Sequence, residues 1–258
     1  MPRFMTTLLV TAVTLFVSKH SAEAAVVTIP PGLHPGDQYR LAFVTTGTTT
    51  AISTDVSYYN SFVTTAANSN PTLAALGTTW TAIATVGISA GSSISAIQNT
   101  GTDPSSVGLP IFNLGGELVA ANYQVLWGNS STGGSSPSID VTENGTIYSG
   151  AVWTGTSATG TALAGEFPLG NQSSFVFKNN SSFGDSTKGP LTAFQWISPD
   201  ISGQFGALTL RTLDKTFPLY ALSGVITVVP EVNPLVLVGI AIVGAIIVRA
   251  RLHRRLGR

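Results

Sequence analysis

The chain has 258 residues, 12 basic and 12 acidic side chains, no cysteine, and only 9% charged positions. The missing thiols exclude disulfides, thiol catalysis, iron–sulfur clusters and Cys-ligated zinc. The neutral balance hides an acidic body, since over residues 25–229 five basic residues (Arg40, Lys178, Lys188, Arg211, Lys215) face ten acidic ones, which argues against nucleic acid and against anionic polysaccharide held on basic patches.

In chain order, Arg3 supplies a positive start, residues 5–17 are largely apolar, and Ala22-Glu23-Ala24 is a small-residue cleavage site. This pattern predicts a secretory signal peptide over 1–24, cut after Ala24. An uncleaved anchor is the rival, and the shortness of the apolar run disfavours it. Residues 25–228 then form one exported globular domain. Pro30, Pro31 and Pro35 mark an extended lead-in, and 38–45 alternates as a strand with Tyr39, Leu41 and Phe43 on one face. Ser53, Thr54 and Asp55 can cap a helix over 55–67, with Val56, Tyr59, Phe62, Val63 and Ala66 at helical spacing. Asn70-Pro71 ends it. Residues 79–86 read as a strand around Trp80, and 87–108 as a Gly/Ser-rich loop. An apolar segment follows at 109–114, then a short helix within 117–127 and a flexible loop at 129–138. Asn144-Gly145 is a hairpin signal between 139–141 and 147–148. Later strands are expected at 193–197, 207–213 and 220–229. No internal repeat is evident.

The C-terminal residues carry Val229-Pro230-Glu231, then an uncharged apolar run over 235–248, then Arg249, Arg251, Arg254, Arg255 and Arg258. As a helix the run reaches about 21 Å at ~1.5 Å per residue, against ~30 Å of hydrocarbon. Flanking valines, Leu252 and the arginine stems can lengthen it. The arginines on one flank and Glu231 on the other orient the tail with its basic end in the cytoplasm. A core helix would interleave polar residues and fits poorly. The segment resembles the PEP-CTERM sorting signal of Gram-negative bacteria over 229–258. That resemblance implies an exosortase-type processing protease as partner and export in association with exopolysaccharide. One position departs: the usual third motif residue is proline, and here it is Val232, with proline delayed to Pro234. A GPI signal would end on its hydrophobic tail, and no LPxTG motif occurs.

Two internal segments bear on fold. Leu109-Pro-Ile-Phe-Asn-Leu-Gly-Gly-Glu-Leu-Val with Tyr123-Gln-Val-Leu-Trp-Gly128, and Val152-Trp-Thr-Gly155 with Gly160 beyond, resemble stretches of the endostatin domain. The capped helix, Trp80 strand and terminal strand fall in the same chain order. The resemblance implies an α+β, C-type-lectin-like (endostatin-like) domain over about 38–226, with a β-sandwich as the alternative. Endostatin's disulfides, zinc site and arginine-rich heparin face have no counterpart here.

Candidate chemistry is sparse. His34 is the body's lone histidine, so a two-His zinc site is excluded, and no metal or cofactor is expected. Trp196-Ile197-Ser198-Pro199-Asp200 approaches, without matching, a calcium-dependent sugar loop, and lacks its carboxylate and amide ligands. Asp140, Glu143 and Glu166 could supply a carboxylate pair for glycoside hydrolysis, although isolated surface carboxylates are the ordinary case. No nucleophile elbow, phosphate loop or dinucleotide fingerprint appears. Trp80, Trp127, Trp153 and Trp196 are all apolar in context. Trp153 and Trp196 are kept as candidates for glycan stacking, with core packing the simpler reading. Asn129, Asn144, Asn171, Asn179 and Asn180 begin N-x-Ser/Thr sequences, read here as polar loops. The expectation is a non-enzymatic envelope or extracellular-matrix protein. It is anchored transiently in the inner membrane and then released to the outer envelope or beyond. A carbohydrate-binding adhesin is the first alternative and a secreted glycoside hydrolase the lesser one.

Overall fold

The computed structural model of the chain describes residues 25–89, 92–127, 137–157, 159–161, 168–170, 180–185 and 210–230. The signal peptide with Ala22 and Ala24, Glu166, Trp196, Asp200, Glu231, residues 235–248 and the five terminal arginines lie outside them, as do Asn129, Asn171, Asn179 and the strand expected at 193–197. Among the described residues no helix is long and apolar enough to cross a membrane.

The described chain is mixed α+β, mostly sheet with few helices. Its order begins β1 (Gln38–Val44), β2 (Thr49–Thr50), α1 (Val56–Ser69), α2 (Pro71–Ala74), β3 (Trp80–Ala82), β4 (Val86–Ser89), β5 (Ser92–Ile94) and α3 (Ala96–Thr100). It continues β6 (Ile111–Asn113), β7 (Leu118–Ala120), α4 (Tyr123–Trp127), β8 (Ala151–Trp153), β9 (Asn180–Asp185), β10 (Leu210–Thr212), β11 (Thr216–Phe217), β12 (Tyr220–Ser223) and β13 (Ile226–Thr227).

β1 is the spine. It lies between β12, antiparallel, and β6, parallel, in a sheet of order β3-β12-β1-β6-β7, and β13 pairs with its start. The expected alternation holds for one face only. Tyr39, Leu41 and Phe43 join Tyr59, Val63 and Ala67 of α1 in one core, while Ala42 and Val44 join Tyr123, Leu126 and Trp127 of α4 in a second. A strand covered on both faces is apolar nearly throughout, and this one is buried from Tyr39 to Val44.

α1 starts where Asp55 accepts the Ser57 N–H at 2.9 Å. It ends at Asn70, whose extended backbone turns the chain and whose Oδ1 caps α2 at Thr72 N, 2.9 Å, with Pro71 at the first helical position. Side chains from the helices close the edge strand β3. Asn60 Oδ1 accepts Ala82 N at 2.9 Å, Asn99 donates to Ala82 O at 2.8 Å, and Thr64 donates to Trp80 O at 3.1 Å. An edge satisfied in this way offers no template for a further strand.

The strand expected over 79–86 is divided. At Thr85 the chain leaves the sheet: its N–H donates to Thr154 O and its carbonyl accepts Leu169 N, each at 2.9 Å. The residues expected to be loop, 87–108, hold the β4–β5 hairpin and α3. Gly155 and Gly160, from the Trp153 segment, show why glycine stands there. Both have positive φ, 58° and 77°. A Cβ on Gly155 would meet Leu169 N and Thr85 O at 2.5 Å, and one on Gly160 would meet Ile97 and Trp127.

Of the two tryptophans kept as candidates for glycan stacking, Trp153 takes the core position, the simpler reading. Trp153 is 0% exposed, sits edge-on to Phe217, and donates from Nε1 to Thr49 O at 3.1 Å. It is a core pillar and has no face for a sugar. Trp80 and Trp127 are buried as well.

Candidate functional site

The β1 strand delivers Thr45, Thr46 and Gly47 to one end of the sheet. Thr45 is held there by Leu219, its N–H donating to Leu219 O at 2.9 Å and its Oγ1 accepting Leu219 N at 3.0 Å. The Asn144-Gly145 turn arrives beside it. Val44 bridges Thr142, Val141 bridges Ile147 antiparallel, and the turn closes through Gly145 N to Thr142 O at 2.9 Å, with Gly145 at φ 77°. The sequence signal for a tight hairpin therefore holds.

That turn places Glu143. Its residue is 2% exposed, and its carboxylate faces Thr46. Thr46 N–H donates to both carboxylate oxygens, at 2.9 Å to Oε2 and 3.2 Å to Oε1, and the Thr46 hydroxyl donates to Oε1. Asn70 Nδ2 holds the Glu143 carbonyl at 2.7 Å, so one residue both ends α1 and fixes the turn. No lysine, arginine or histidine among the described residues forms an ion pair with Glu143.

Between this turn and α1 lies a groove of about 420 Å³. Its α1 wall carries two lines at four-residue spacing. Tyr58, Phe62 and Ala66 form an apolar line, and Ser61, Thr65 and Ser69 a hydroxyl line. Tyr58 is 45% exposed, and its hydroxyl shares a hydrogen bond with Thr49 Oγ1 at 2.8 Å. Thr65 and Ser69 donate to the helix carbonyls of Ser61 and Ala66, which leaves their oxygens as acceptors toward the groove. Gly47 completes the opposite side, where a Cβ would stand 3.3 Å from the Phe62 ring.

Of the two expected carboxylates among the described residues, Asp140 and Glu143, Glu143 lines this groove, and its carboxylate is held by Thr46. Asp140 is half-buried, and its carbonyl accepts Tyr148 N at 2.7 Å. Asn144 is half-buried in the turn. His34 is exposed, 3.6 Å from Asp37 within a surface turn. Among the described residues no group of three His, Cys, Asp or Glu could hold a metal ion. What sequence reading missed was Thr46, Tyr58, Phe62 and Gly47 as neighbours of Glu143. The signal for the α1 wall was present, in apolar residues at 58, 62 and 66 beside a line of hydroxyls.

The groove combines a mostly apolar wall with the hydroxyls of Ser61, Thr65 and Ser69 and the Glu143 side chain. It suits a ligand that donates hydrogen bonds and has an apolar face. No protein-family model matches the chain, and no curated protein matches its sequence.

Proposed function

We propose that this chain is an exported, membrane-sorted envelope or extracellular-matrix protein, associated with exopolysaccharide, that works by binding and not by catalysis. The supporting observation is where the folded body releases the chain. Val228 is buried, donates to Asp37 O at 2.9 Å and accepts from Gly36 N at 2.8 Å; Val229, the next residue, is 70% exposed. The Val229-Pro230-Glu231 motif therefore begins where the body's contacts stop, as a membrane protease would require. The groove lies at the other end of β1. The seven residues of β1, about 23 Å at ~3.3 Å per residue, lie between the Val228 contacts and Thr46. A body tethered through its tail would turn the groove away from the membrane.

The fold proposed for the body is the endostatin-like variant of the C-type-lectin-like fold. Its support is the order of capped α1, the Trp80 strand, the 109–127 segment, the Trp153 turn and the final strand on β1. The adhesin reading gains support from one feature, the aromatic and hydroxyl lines of the groove. Mass spectrometry of the exported protein tests the sorting reading. The expected C-terminus lies near Glu231, and replacing Arg254, Arg255 and Arg258 by Glu impairs anchoring. Intact Arg258 on the extracellular product would overturn it.

A further inference from the structure

Glu143 is a carboxylate taken out of water, and no basic side chain among the described residues pairs with it. A buried carboxylate is ordinarily paired with a cation or fully hydrogen-bonded. Here the three hydrogen bonds it accepts all come from Thr46, neutral donors on one residue. A carboxylate has about four lone-pair directions, so one on Oε2 remains. Glu143 lines the groove whose far wall is the Tyr58–Phe62–Ala66 line. Charge, aromatic surface and hydroxyl acceptors thus meet in one place, and the described lining includes no cation.

Each part excludes a class of guest. A carboxylate without a neighbouring cation repels sulfated, phosphorylated or uronic sugars. A purely apolar guest would leave the Thr65 and Ser69 oxygens unused as acceptors. A lysine side chain could bring the ammonium, yet it brings no hydroxyls for a line that runs along about 12 Å of helix at ~1.5 Å per residue. A sugar ring supplies C–H faces for Tyr58 and Phe62 and hydroxyl donors for Thr65 and Ser69. An ammonium on that ring supplies the charge that Glu143 lacks, strengthened by the aromatic faces beside it.

We propose that this groove is a subsite for a polysaccharide bearing free, protonated amino sugars, with Glu143 receiving the ammonium and the Tyr58–Phe62 line the sugar face. This rests on the binding reading above and names its ligand class. Gly47 has a specificity role, because any larger side chain there would fill the space before Phe62.

The test is calorimetric titration of the full chain in detergent with β-1,4-glucosamine oligomers, their N-acetylated counterparts, β-1,4-glucose oligomers and oligolysine. The glucosamine oligomer is expected to bind about tenfold or more tightly than the other three, the scale of one charge-assisted contact. Glu143→Gln, which keeps an acceptor for Thr46, removes that preference, and Gly47→Leu, which leaves the carboxylate untouched, blocks binding. Equal affinity for glucose and glucosamine oligomers overturns the ammonium assignment and leaves glycan binding standing. Tighter binding of oligolysine overturns the sugar assignment. No binding by any probe, or full affinity in both variants, overturns the site. The export reading is judged separately, by the C-terminus of the secreted protein.

Discussion

Arg40 and Glu143 are both charged and both buried, at 5% and 2% exposure, and the protein treats them in opposite ways. Arg40 lies in mid-strand on β1. It donates to Ser223 O at 2.6 Å and Thr100 O at 2.8 Å, and its guanidinium sits 5.9 Å over the Tyr123 ring. Burial pushes its pKa down while Tyr123 works the other way. Those contacts join β1, β12, α3 and α4, so the charge is spent on holding elements together. Glu143 takes donors from one loop residue and faces a groove. A buried charge tied to several elements is architecture; one tied to a single neighbour beside open space is available to a ligand.

Substitutions should separate the two buried side chains by the size of their effects. The closed half should fail hardest. Gly155→Ala adds a Cβ against two backbone atoms at a positive φ, and is expected to cost about 4 kcal/mol in urea unfolding. Arg40→Leu leaves two buried carbonyls without donors and should cost about 3 kcal/mol by the same measurement. Glu143→Gln is expected to cost only about 1 kcal/mol, since the Thr46 contacts survive in part. A loss as large as that of Arg40→Leu would make Glu143 architectural too. Gly47→Leu should cost about 1 kcal/mol, because its φ lies outside the left-handed region and the Phe62 ring, 3.3 Å from the added Cβ, has only to shift slightly.

The smallest effect is at the start of α1. Ser57 holds the Asp55 carboxyl below its usual pKa through its hydroxyl and its backbone N–H. A depressed folded pKa gives stability that is present above the ordinary aspartate value of about 3.9 and is lost as pH falls through the folded value. The melting temperature of Asp55→Ala should therefore lie slightly below wild type at neutral pH. The gap should close in acid. A gap that widens with acid would contradict the capping role.

Local patterns carried much of this into the sequence. Asp55 and the 3.6-residue spacing announce α1, Asn70-Pro71 its end, and Asn144-Gly145 the turn that places Glu143. Yet the apolar positions of α1 read as one stripe. In the folded chain Tyr59, Val63 and Ala67 are buried in the core, while Phe62 and Ala66 are only partly buried against it and also line the groove. Periodicity cannot divide a wide stripe between core and cleft, since that depends on what arrives opposite. The α3 helix was hidden in a Gly/Ser-rich stretch, although Ser95 and Gln98 form a capping box that could have revealed it. Trp153 looked available for stacking because its partners, Thr49, Lys215 and Phe217, are far away in sequence. Thr46 and Glu143 met only once β1 and the turn were in place.

The most direct test of the Glu143 site is ligand-induced stabilisation of wild type and Glu143→Gln by a glucosamine oligomer. A ligand at a hundred times its Kd stabilises the folded state by about 2.7 kcal/mol. Wild type should gain close to that and melt correspondingly higher, while Glu143→Gln gains little at the same concentration. Equal gains in both proteins, or none in wild type, would contradict the claim that Glu143 is a charge kept for a ligand.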